Sequence, residues 1–517
     1  MEESRTKNSI KNISTGAFAQ IVNKLMEFVV RTVFIKILDT EYLGVNGLFT
    51  NVLTILSFAE LGIGTAIIFN MYKPIAENDK NKIKALMDLY KRAYNIIGVV
   101  VFVLGLCVIP FMKFMVKETP DIKENINFIY ILFLINTSAS YFFTYKKSII
   151  SAHQKQNIIN NIDSIFYFVR SILEIVFLVL TRNYIVYLLI KIICTIIENI
   201  FISKKADKMY PYLKEKNNAK LSKEESSNIF SNVKSLIVYK FGGVIMDGTD
   251  NILISSMVNV SVVGLCSNYS MIINAVKNIL SSAINGLTAS IGNLNAVGTA
   301  EKKEKIFYQL TFMNYVIYSF CAIAFIVLLN PFVKIWLGEK YILSIGVVIA
   351  LAVSFFINGL RNPGYIYRTT MGLFQKGKIT PYIGAISNIV FSIVLCKLYG
   401  VIGIFIATSI AQLVSYSWID PYLIHKHEFK TPVRKYFKKF VIYILVFTIS
   451  TIITLSVTNL IKLEGILGLF IKGFIVCVIP NLINLVLFYR TEEFKELKQK
   501  MLIPILSKIF KNKVTEN

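Results

Sequence analysis

The chain has 517 residues, of which 55% are hydrophobic, and its formal net charge is +25. Its mean hydropathy of +0.59 is far above that of a soluble domain. Apolar stretches long enough to cross a bilayer as helices recur along the whole sequence, and the basic residues are spread over short loops. The composition therefore predicts an all-α polytopic membrane protein and argues against a nucleic-acid partner.

The hydrophobic pattern predicts about fourteen membrane spans, in two series of six followed by two more. The first series covers residues 13–38, 43–71, 93–116, 125–145, 158–180 and 183–203. The second series covers residues 228–257, 261–290, 306–336, 342–367, 379–397 and 400–424, and the last two spans cover 440–461 and 464–489. We number these spans 1 to 14 in chain order.

The spans predict a chain of two lobes. The predicted parts are an N-lobe over 1–204, a cytoplasmic linker over 205–227, a C-lobe over 228–425, accessory spans within 426–490 and a basic tail over 491–517. A faint internal repeat supports the two lobes, because "LGVNGLF" (43–49) opens span 2 and "VGLCSNY" (263–269) opens span 8. Six spans separate the copies, so both halves should cross the membrane in the same direction.

The loops predict the orientation of the chain. Lys and Arg are abundant in the loops after spans 2, 4, 6, 8, 10 and 12 and scarce in the opposite loops. Because cytoplasmic loops carry the excess of basic residues, we expect both termini in the cytoplasm.

Three predicted helices of the first half carry charges at helical spacing, so that each presents a polar stripe. The stripes consist of Lys24, Glu27 and Arg31 in span 1, Asp163, Arg170 and Glu174 in span 5, and Lys191 and Glu198 in span 6. A charge at the centre of a bilayer costs roughly 2.5–3.5 kcal/mol, so such residues face a protein interior or a wet cavity. We expect a hydrated cavity between the lobes.

Cations also fall inside the predicted spans of the second half. Lys240 lies in span 7, Lys277 in span 8 and Arg361 in span 10. We interpret these three and Lys24 as cations without an acidic partner on their own helix, which favours a role at a cavity. The predicted substrate-binding set is Lys24, Arg31, Arg170, Lys191, Lys240, Lys277 and Arg361.

A purely structural explanation stays open for two pairs. Glu27 and Arg31 are four residues apart, as are Arg170 and Glu174, so each pair could be neutral without a ligand. Lys36 lies near the outer end of span 1, where a long side chain can extend to the membrane surface.

Three acidic residues are candidates for a coupling-ion or proton site: Glu60 in span 2 and Asp247 and Asp250 in span 7. Two carboxylates three residues apart disfavour simultaneous ionisation unless a cation lies between them. A helix cap or a kink at "MDGTDN" explains Asp247 and Asp250 equally well. The sequence has no nucleotide-binding loop and no HExxH motif, so we expect no enzyme, no cofactor and no metal site, and a carrier driven by an existing Na⁺ or H⁺ gradient.

Six stretches between residues 17 and 426 carry a resemblance to a known family. They read "AFAQIVNKLMEFVVRTVFIKIL", "EYLGVNGLFTNVLTILSFAELGIGTAIIFNMYKPIAENDK", "DNILISSMVNVSVVGLCSNYSMI", "LTASIGNLNA", "NPFVKIWLGEKYIL" and "SWIDPYLIHK". Together they resemble the oligosaccharide repeat-unit flippases of bacterial surface polysaccharide synthesis, in the multidrug and polysaccharide exporter superfamily.

The resemblance implies a MATE-like fold that alternates access around a cationic cavity. It implies an undecaprenyl-diphosphate-linked oligosaccharide as substrate, moved to the outer leaflet of the bacterial plasma membrane, with a polysaccharide polymerase and glycosyltransferases as further partners. Lys24 and Arg31 match the family's charged first helix, and Asp250 lies in its "TDNILISS" segment. The cations of the second half match no defining motif.

Three alternatives remain open. A MATE-type multidrug or cation antiporter would favour an acidic or aromatic cavity, whereas a peptidoglycan-precursor flippase would share the diphosphate chemistry. A membrane glycosyltransferase or polymerase would need a catalytic acid, base or metal site and often a large soluble loop, and the longest hydrophilic loop here is short.

Overall fold

The computed structural model describes residues 5–60, 63–118, 120–215, 221–222, 224–227, 229, 233, 248–373 and 376–499. Within these ranges every regular element is a helix, which confirms the predicted all-α fold class. Residue contacts divide the chain into two compact units, Met1–Ser267 and Asn268–Asn517. The division into lobes, linker and accessory spans stays a prediction.

The helices of the first unit overlap the predicted spans, and the agreement of their ends is best for spans 4 and 5. They are α1 (Arg5–Leu56), α2 (Ile63–Ala76), α3 (Lys80–Val108), α4 (Met112–Met115), α5 (Ile126–Thr144), α6 (Lys147–Ala152), α7 (Gln156–Thr181), α8 (Tyr184–Met209), α9 (residues 248–257) and the start of α10 (Val260–Val297). Short 3₁₀ turns cover Ser57–Glu60, Ile109–Phe111 and Pro211–Lys214.

The second unit begins inside α10 and contains the remaining helices. They are α11 (Ala300–Leu337), α12 (Ile345–Thr370), α13 (Thr380–Tyr399), α14 (Val401–Val414), α15 (Tyr416–Ile424), α16 (Arg434–Asn459), α17 (Gly465–Phe488) and α18 (Glu492–Leu497). A 3₁₀ turn covers Glu339–Tyr341 and a π-helical turn covers His425–Phe429.

The helices have the length and composition of membrane spans. Among the residues that the structure describes, nine helical segments are long and apolar enough to cross a membrane, and they coincide with predicted spans 3, 5, 6 and 9 to 14. Predicted span 4 corresponds to a shorter apolar helix, Ile126–Phe142. The chain is a multi-pass membrane protein.

The long helix α1 consists of two helices joined at Asp39. Asp39 has φ 70° and ψ −177°, a conformation that residues other than glycine rarely adopt. Its Oδ1 accepts hydrogen bonds from the backbone N–H of Thr40 at 2.7 Å and from the Thr40 hydroxyl at 2.8 Å, which stabilises the start of the second helix. The break lies between predicted spans 1 and 2, where the sequence analysis placed a loop.

Two predicted spans are interrupted. Span 2 is not one helix over 43–71, because a 3₁₀ turn over Ser57–Glu60 follows the end of α1, and α2 begins only at Ile63. Glycine weakens helices, and the sequence places Gly62 and Gly64 at this position. Span 12 is interrupted at Ser415, whose φ of −117° and ψ of −89° separate α14 from α15.

The two copies of the internal repeat meet within the first unit. A Cβ atom on Gly264 would lie 2.3 Å from the carbonyl oxygen of Thr40 and 3.0 Å from the backbone nitrogen of Gly44. A Cβ atom on Gly44 would lie 2.1 Å from the carbonyl oxygen of Val260. Only glycine permits so close an approach of two backbones. The repeat therefore marks a crossing of α10 with the second half of α1.

The start of the predicted linker packs on the first unit. α8 continues to Met209, beyond the predicted end of span 6, and Tyr210 is buried in an apolar cluster with residues of α3, α6 and α7. The rings of Tyr210 and His153 lie 4.4 Å apart, and Lys84 forms an ion pair with Glu215 at 3.4 Å. This part of the linker is thus ordered by both apolar and ionic contacts.

Candidate functional site

A polar cavity of about 360 Å³ lies within the first unit. Its lining combines charged, aromatic and apolar side chains from helices that the sequence analysis predicted to be charged. The lining residues are Glu27, Val30, Arg31, Phe34, Leu43, Asn46, Tyr167, Arg170, Glu174, Tyr187 and Lys191. Three of the predicted substrate-binding cations are therefore together in one cavity.

Three helices position these cations. Arg31 lies on the first half of α1, Arg170 on α7 and Lys191 on α8, and α7 packs against both other helices. Phe34 meets the rings of Tyr184 and Tyr187 edge to face, at 5.8 Å and 5.2 Å between centroids. Such edge-to-face aromatic contacts are favourable, and they hold α1 against α8 beside the charged residues.

Each cation makes a different contact. The Nη1 of Arg31 donates a hydrogen bond to the Ser267 hydroxyl at 3.1 Å. The Nε of Arg170 lies 3.6 Å from the Oε1 of Glu174, which confirms the predicted pair, and its guanidinium lies 4.9 Å from the ring centre of Tyr167. The ammonium of Lys191 lies 5.4 Å from the centre of the Phe133 ring.

The interpretation of Lys24 as a cation without an acidic partner is wrong. Its Nζ lies 2.6 Å from the Oε2 of Glu27, three residues further along the same helix. Both side chains are about one-third exposed. Glu27 also interacts electrostatically with Arg31, so the structure is consistent with the predicted pair of these two residues as well. The described lining holds two carboxylates, Glu27 and Glu174, against three cations, and Lys24 adds a fourth cation next to Glu27, so the cavity keeps an excess of positive charge.

The other acidic residues of the charged stripes have a separate partner. Lys147, at the start of α6, lies 3.2 Å from Asp163 of α7 and 3.4 Å from Glu198 of α8. Asp163 and Glu198 thus share Lys147 as an ion-pair partner, and neither is among the described residues that line the cavity. Lys36 is exposed, and its extension to the membrane surface stays a prediction.

Two predicted cations lie in the second unit. The guanidinium carbon of Arg361 lies 4.3 Å from the centre of the Tyr416 ring, and its buried Nη1 has no hydrogen-bond partner among the residues that the structure describes. Lys277 is half-buried in α10. Lys240 lies outside the described residues, so the structure says nothing of it.

Glu60 and Asp250, two of the predicted ion-coupling residues, are not among the described residues that line the cavity. Glu60 lies in the 3₁₀ turn after α1 and interacts with the hydroxyls of Tyr94 and Tyr141. Asp250 lies half-buried in α9, and Asp247 falls outside the described residues. Over the described part of the chain, no group of three or more His, Cys, Asp or Glu residues could hold a metal ion.

Sequence reasoning missed a buried ion pair in the second unit. Arg368 of α12 donates to the Oδ1 of Asp420 of α15 at 2.7 Å, and the two side chains are only 1% and 2% exposed. Its signal was present, because Arg368 lies seven residues after Arg361, on the same face of the helix. Arg368 fell in a predicted loop because predicted span 10 ended at residue 367.

Several solved structures similar to this chain are named as flippases or transporters. The lipid II flippase MurJ in an inward closed conformation is 16% identical, with a TM-score of 0.62 over 92% of this chain and 98% of that chain. An inward-facing multidrug resistance MATE family transporter of the MOP superfamily is 14% identical, with a TM-score of 0.61 over 80% of this chain and 99% of that one. At such identities the likeness establishes the fold.

A third similar structure is the MATE transporter VcmN of Vibrio cholerae, which is 12% identical, with a TM-score of 0.57 over 83% of this chain and 99% of that chain. The names of these three neighbours describe a flippase and transporters. No curated protein is similar enough in sequence to match the chain. Residues 9–291 match the family described as polysaccharide biosynthesis protein, and the chain belongs to that family.

Proposed function

We propose that this chain moves an oligosaccharide linked to undecaprenyl diphosphate from the inner to the outer leaflet of the bacterial plasma membrane, for surface polysaccharide synthesis. The observation that carries the proposal is the cavity of the first unit, where Arg31, Arg170 and Lys191 converge from three helices. Membership of a polysaccharide biosynthesis family and the transporter fold support it.

The cavity suits a diphosphate that carries sugar. Such a group brings about two negative charges into the membrane, and burying them without partners would be prohibitive. Arg31 and Arg170 can each bind phosphate oxygens through two N–H groups, whereas Lys191 supplies a compact charge. The side chain of Tyr167 and the amide of Asn46, which also line the cavity and are half-buried, offer surfaces for a sugar ring and its hydroxyls.

We propose alternating access as the mechanism. Transporters of this fold have been solved in inward-facing and outward-facing conformations. A membrane potential that is negative in the cytoplasm favours outward movement of each negative charge by about 2.3 kcal/mol per 100 mV, so the potential itself drives export of a diphosphate.

We further propose that an inward Na⁺ or H⁺, taken up at Glu60, Asp247 and Asp250, resets the carrier. The test is transport of the lipid-linked substrate into vesicles that contain the purified protein. Collapsing the relevant gradient should slow repeated turnover, and transport that is unaltered when both gradients are collapsed would exclude the coupling.

Export itself is tested in cells that lack this chain. A lipid-linked glycan should accumulate on the cytoplasmic side and surface glycan should fall, and the intact chain should restore both. Arg31→Ala, which removes a cation from the cavity lining, should reduce export about tenfold or more, since a charge-assisted hydrogen bond contributes about 1.5–3 kcal/mol. For Lys240→Ala and Arg361→Ala the expected loss of export rests on the sequence alone. Lys36→Ala is the matched control, because this exposed cation lies on the same helix as Arg31.

Insertion of each variant in the membrane is checked by its amount and its thermal stability. Normal surface glycan in all three charge-removing variants would contradict the cationic site. Drug resistance on overexpression without any effect on surface glycan would favour the multidrug antiporter, although the cationic lining disfavours cationic drugs. Lethality on deletion would favour the peptidoglycan precursor, which presents the same diphosphate chemistry.

A further inference from the structure

Glu174 has an unusual position for a carboxylate in a cationic cavity. It lies on α7, one helical turn after Arg170, and its side chain is 5% exposed, against 20% for Arg170. Removing a carboxylate from water is costly unless close ion pairs and hydrogen bonds replace its hydration. The burial of the Glu174 carboxylate must therefore be explained by the groups that surround it.

The pairing of Glu174 is incomplete. The 3.6 Å between its Oε1 and the Nε of Arg170 is too long for a hydrogen bond, and neither atom has another hydrogen-bond partner within the described part of the chain. Lys191 of α8 also interacts electrostatically with Glu174. By contrast, Glu27 in the same lining is held by Lys24 at 2.6 Å. Glu174 thus balances the charge of Arg170 while leaving the Nε–H donor of that guanidinium free of a hydrogen bond.

We propose that Glu174 is an internal counter-anion that competes with the phosphate of the substrate for Arg170 and Lys191. This inference rests on the proposed function and adds to it the residue that sets the strength of anion binding. A phosphate oxygen could form the close contacts to Arg170 that Glu174 does not form, but it would bind beside a fixed negative charge of the same sign. The carboxylate therefore weakens binding of the anion at this site.

A carrier needs such a limit on affinity. It must bind its substrate on one side of the membrane and release it on the other, and a cavity that contained only cations would hold a diphosphate too tightly for rapid release. When the anion leaves, Glu174 again compensates Arg170 and Lys191. The same carboxylate keeps the empty cavity from carrying several uncompensated charges.

The test is binding of inorganic pyrophosphate to the purified full-length chain in lipid nanodiscs, followed by calorimetry. Glu174→Gln should bind about tenfold more tightly, because a like charge a few ångströms from the anion is removed. Glu174→Leu is a second neutral variant, with a side chain that suits a membrane helix, and it should show the same change. Glu174→Asp keeps the charge and should stay close to the unmodified chain.

Glu27→Gln is the matched comparison. Glu27 also interacts with Arg31, but it is paired with Lys24 at 2.6 Å, so this variant should change the affinity by less than Glu174→Gln. In flipping assays with the lipid-linked glycan, Glu174→Gln should lower both KM and kcat, a combination that loss of structure would not produce. Neutral variants that fold but bind pyrophosphate no more tightly would overturn the inference.

Two results separate this inference from the proposed function. If the unmodified chain binds pyrophosphate and Arg31→Ala weakens that binding while the neutral Glu174 variants do not tighten it, only the role of Glu174 is wrong. If neither the unmodified chain nor any Glu174 variant binds pyrophosphate, the cavity is not an anion site, and both proposals fail.

Discussion

Arg31 and Lys36 lie on the same helix but have different surroundings. Arg31 lines the cavity and donates to the Ser267 hydroxyl, whereas Lys36 is exposed. A charge on a membrane helix is tolerated where polar protein groups surround it or where a long side chain reaches the surface. Helical spacing predicted the charged stripe that contains Arg31, and the position of Lys36 near the outer end of span 1 predicted a side chain that reaches the membrane surface.

The pair of Lys24 and Glu27 can be tested by a double-mutant cycle. Lys24→Ala leaves Glu27 unneutralised beside the cavity, so we expect flipping to slow about two- to fivefold, in keeping with the 0.2–1 kcal/mol of a partly exposed pair. The double variant Lys24→Ala/Glu27→Ala should recover most of the rate. The initial rate in vesicles measures the effect, and a double variant slower than both single variants would mean that Lys24 contacts the substrate itself.

The buried pair of Arg368 and Asp420 should govern stability in the second unit. Asp420→Leu leaves the Arg368 guanidinium as an uncompensated buried charge, at a cost of about 3–5 kcal/mol. Replacing both residues, as in Arg368→Met/Asp420→Leu, should recover much of that loss. Thermal unfolding of the purified chain measures the change. If Asp420→Leu left the melting temperature unchanged, the pair would have no structural role.

The breaks in the helices, first of all the one in α1, show what a hydrophobic pattern can predict and what it misses. The pattern separated its two halves at the correct position, because the polar stretch around Asp39 interrupts the apolar run. The interruptions at Ser57–Glu60 and at Ser415 were not predicted. The hydropathy of both stretches stays high enough for a continuous span, and a local change of φ and ψ leaves hydropathy unaltered. Gly62 and Gly64 were the available sign of the first break, but glycine is also common inside membrane helices.

The crossing of α1 and α10 depends on two glycines. Gly264→Ala should destabilise the chain by about 1–3 kcal/mol, because its Cβ would lie 2.3 Å from the carbonyl oxygen of Thr40 and the helices would have to move apart. Gly44→Ala should behave similarly. Gly473→Ala in α17 is the control, since no atom lies within 4 Å of a Cβ at that position. Equal melting temperatures for Gly264→Ala and Gly473→Ala would show that the crossing is not tight.

At the scale of the whole molecule, the distribution of Lys and Arg predicts the orientation in the membrane. Lys376 lies in a predicted cytoplasmic loop and Lys462 in a predicted outer loop, and both are exposed. In a chain without its natural cysteines, a single cysteine in place of Lys462 should react with a membrane-impermeant maleimide on intact cells. A cysteine in place of Lys376 should react only after the membrane is opened. The reverse result would invert the proposed direction of transport.

The sequence by itself determined that this chain is an α-helical membrane protein and which helices carry charge. These properties follow from local physics, because a bilayer crossing requires an apolar run of sufficient length and a charged stripe requires only helical periodicity. The family was also indicated by motifs, which are local patterns of residues. None of this depends on how the helices pack against one another.

Only the tertiary structure decided which charges meet. Arg31, Arg170 and Lys191 line one cavity, whereas Lys24 is held by Glu27. Other charges of the same helices have separate partners, as Asp163 and Glu198 have in Lys147. Spacing along one helix determines a direction, but contact between helices depends on packing distances of a few ångströms that the linear order of residues does not contain.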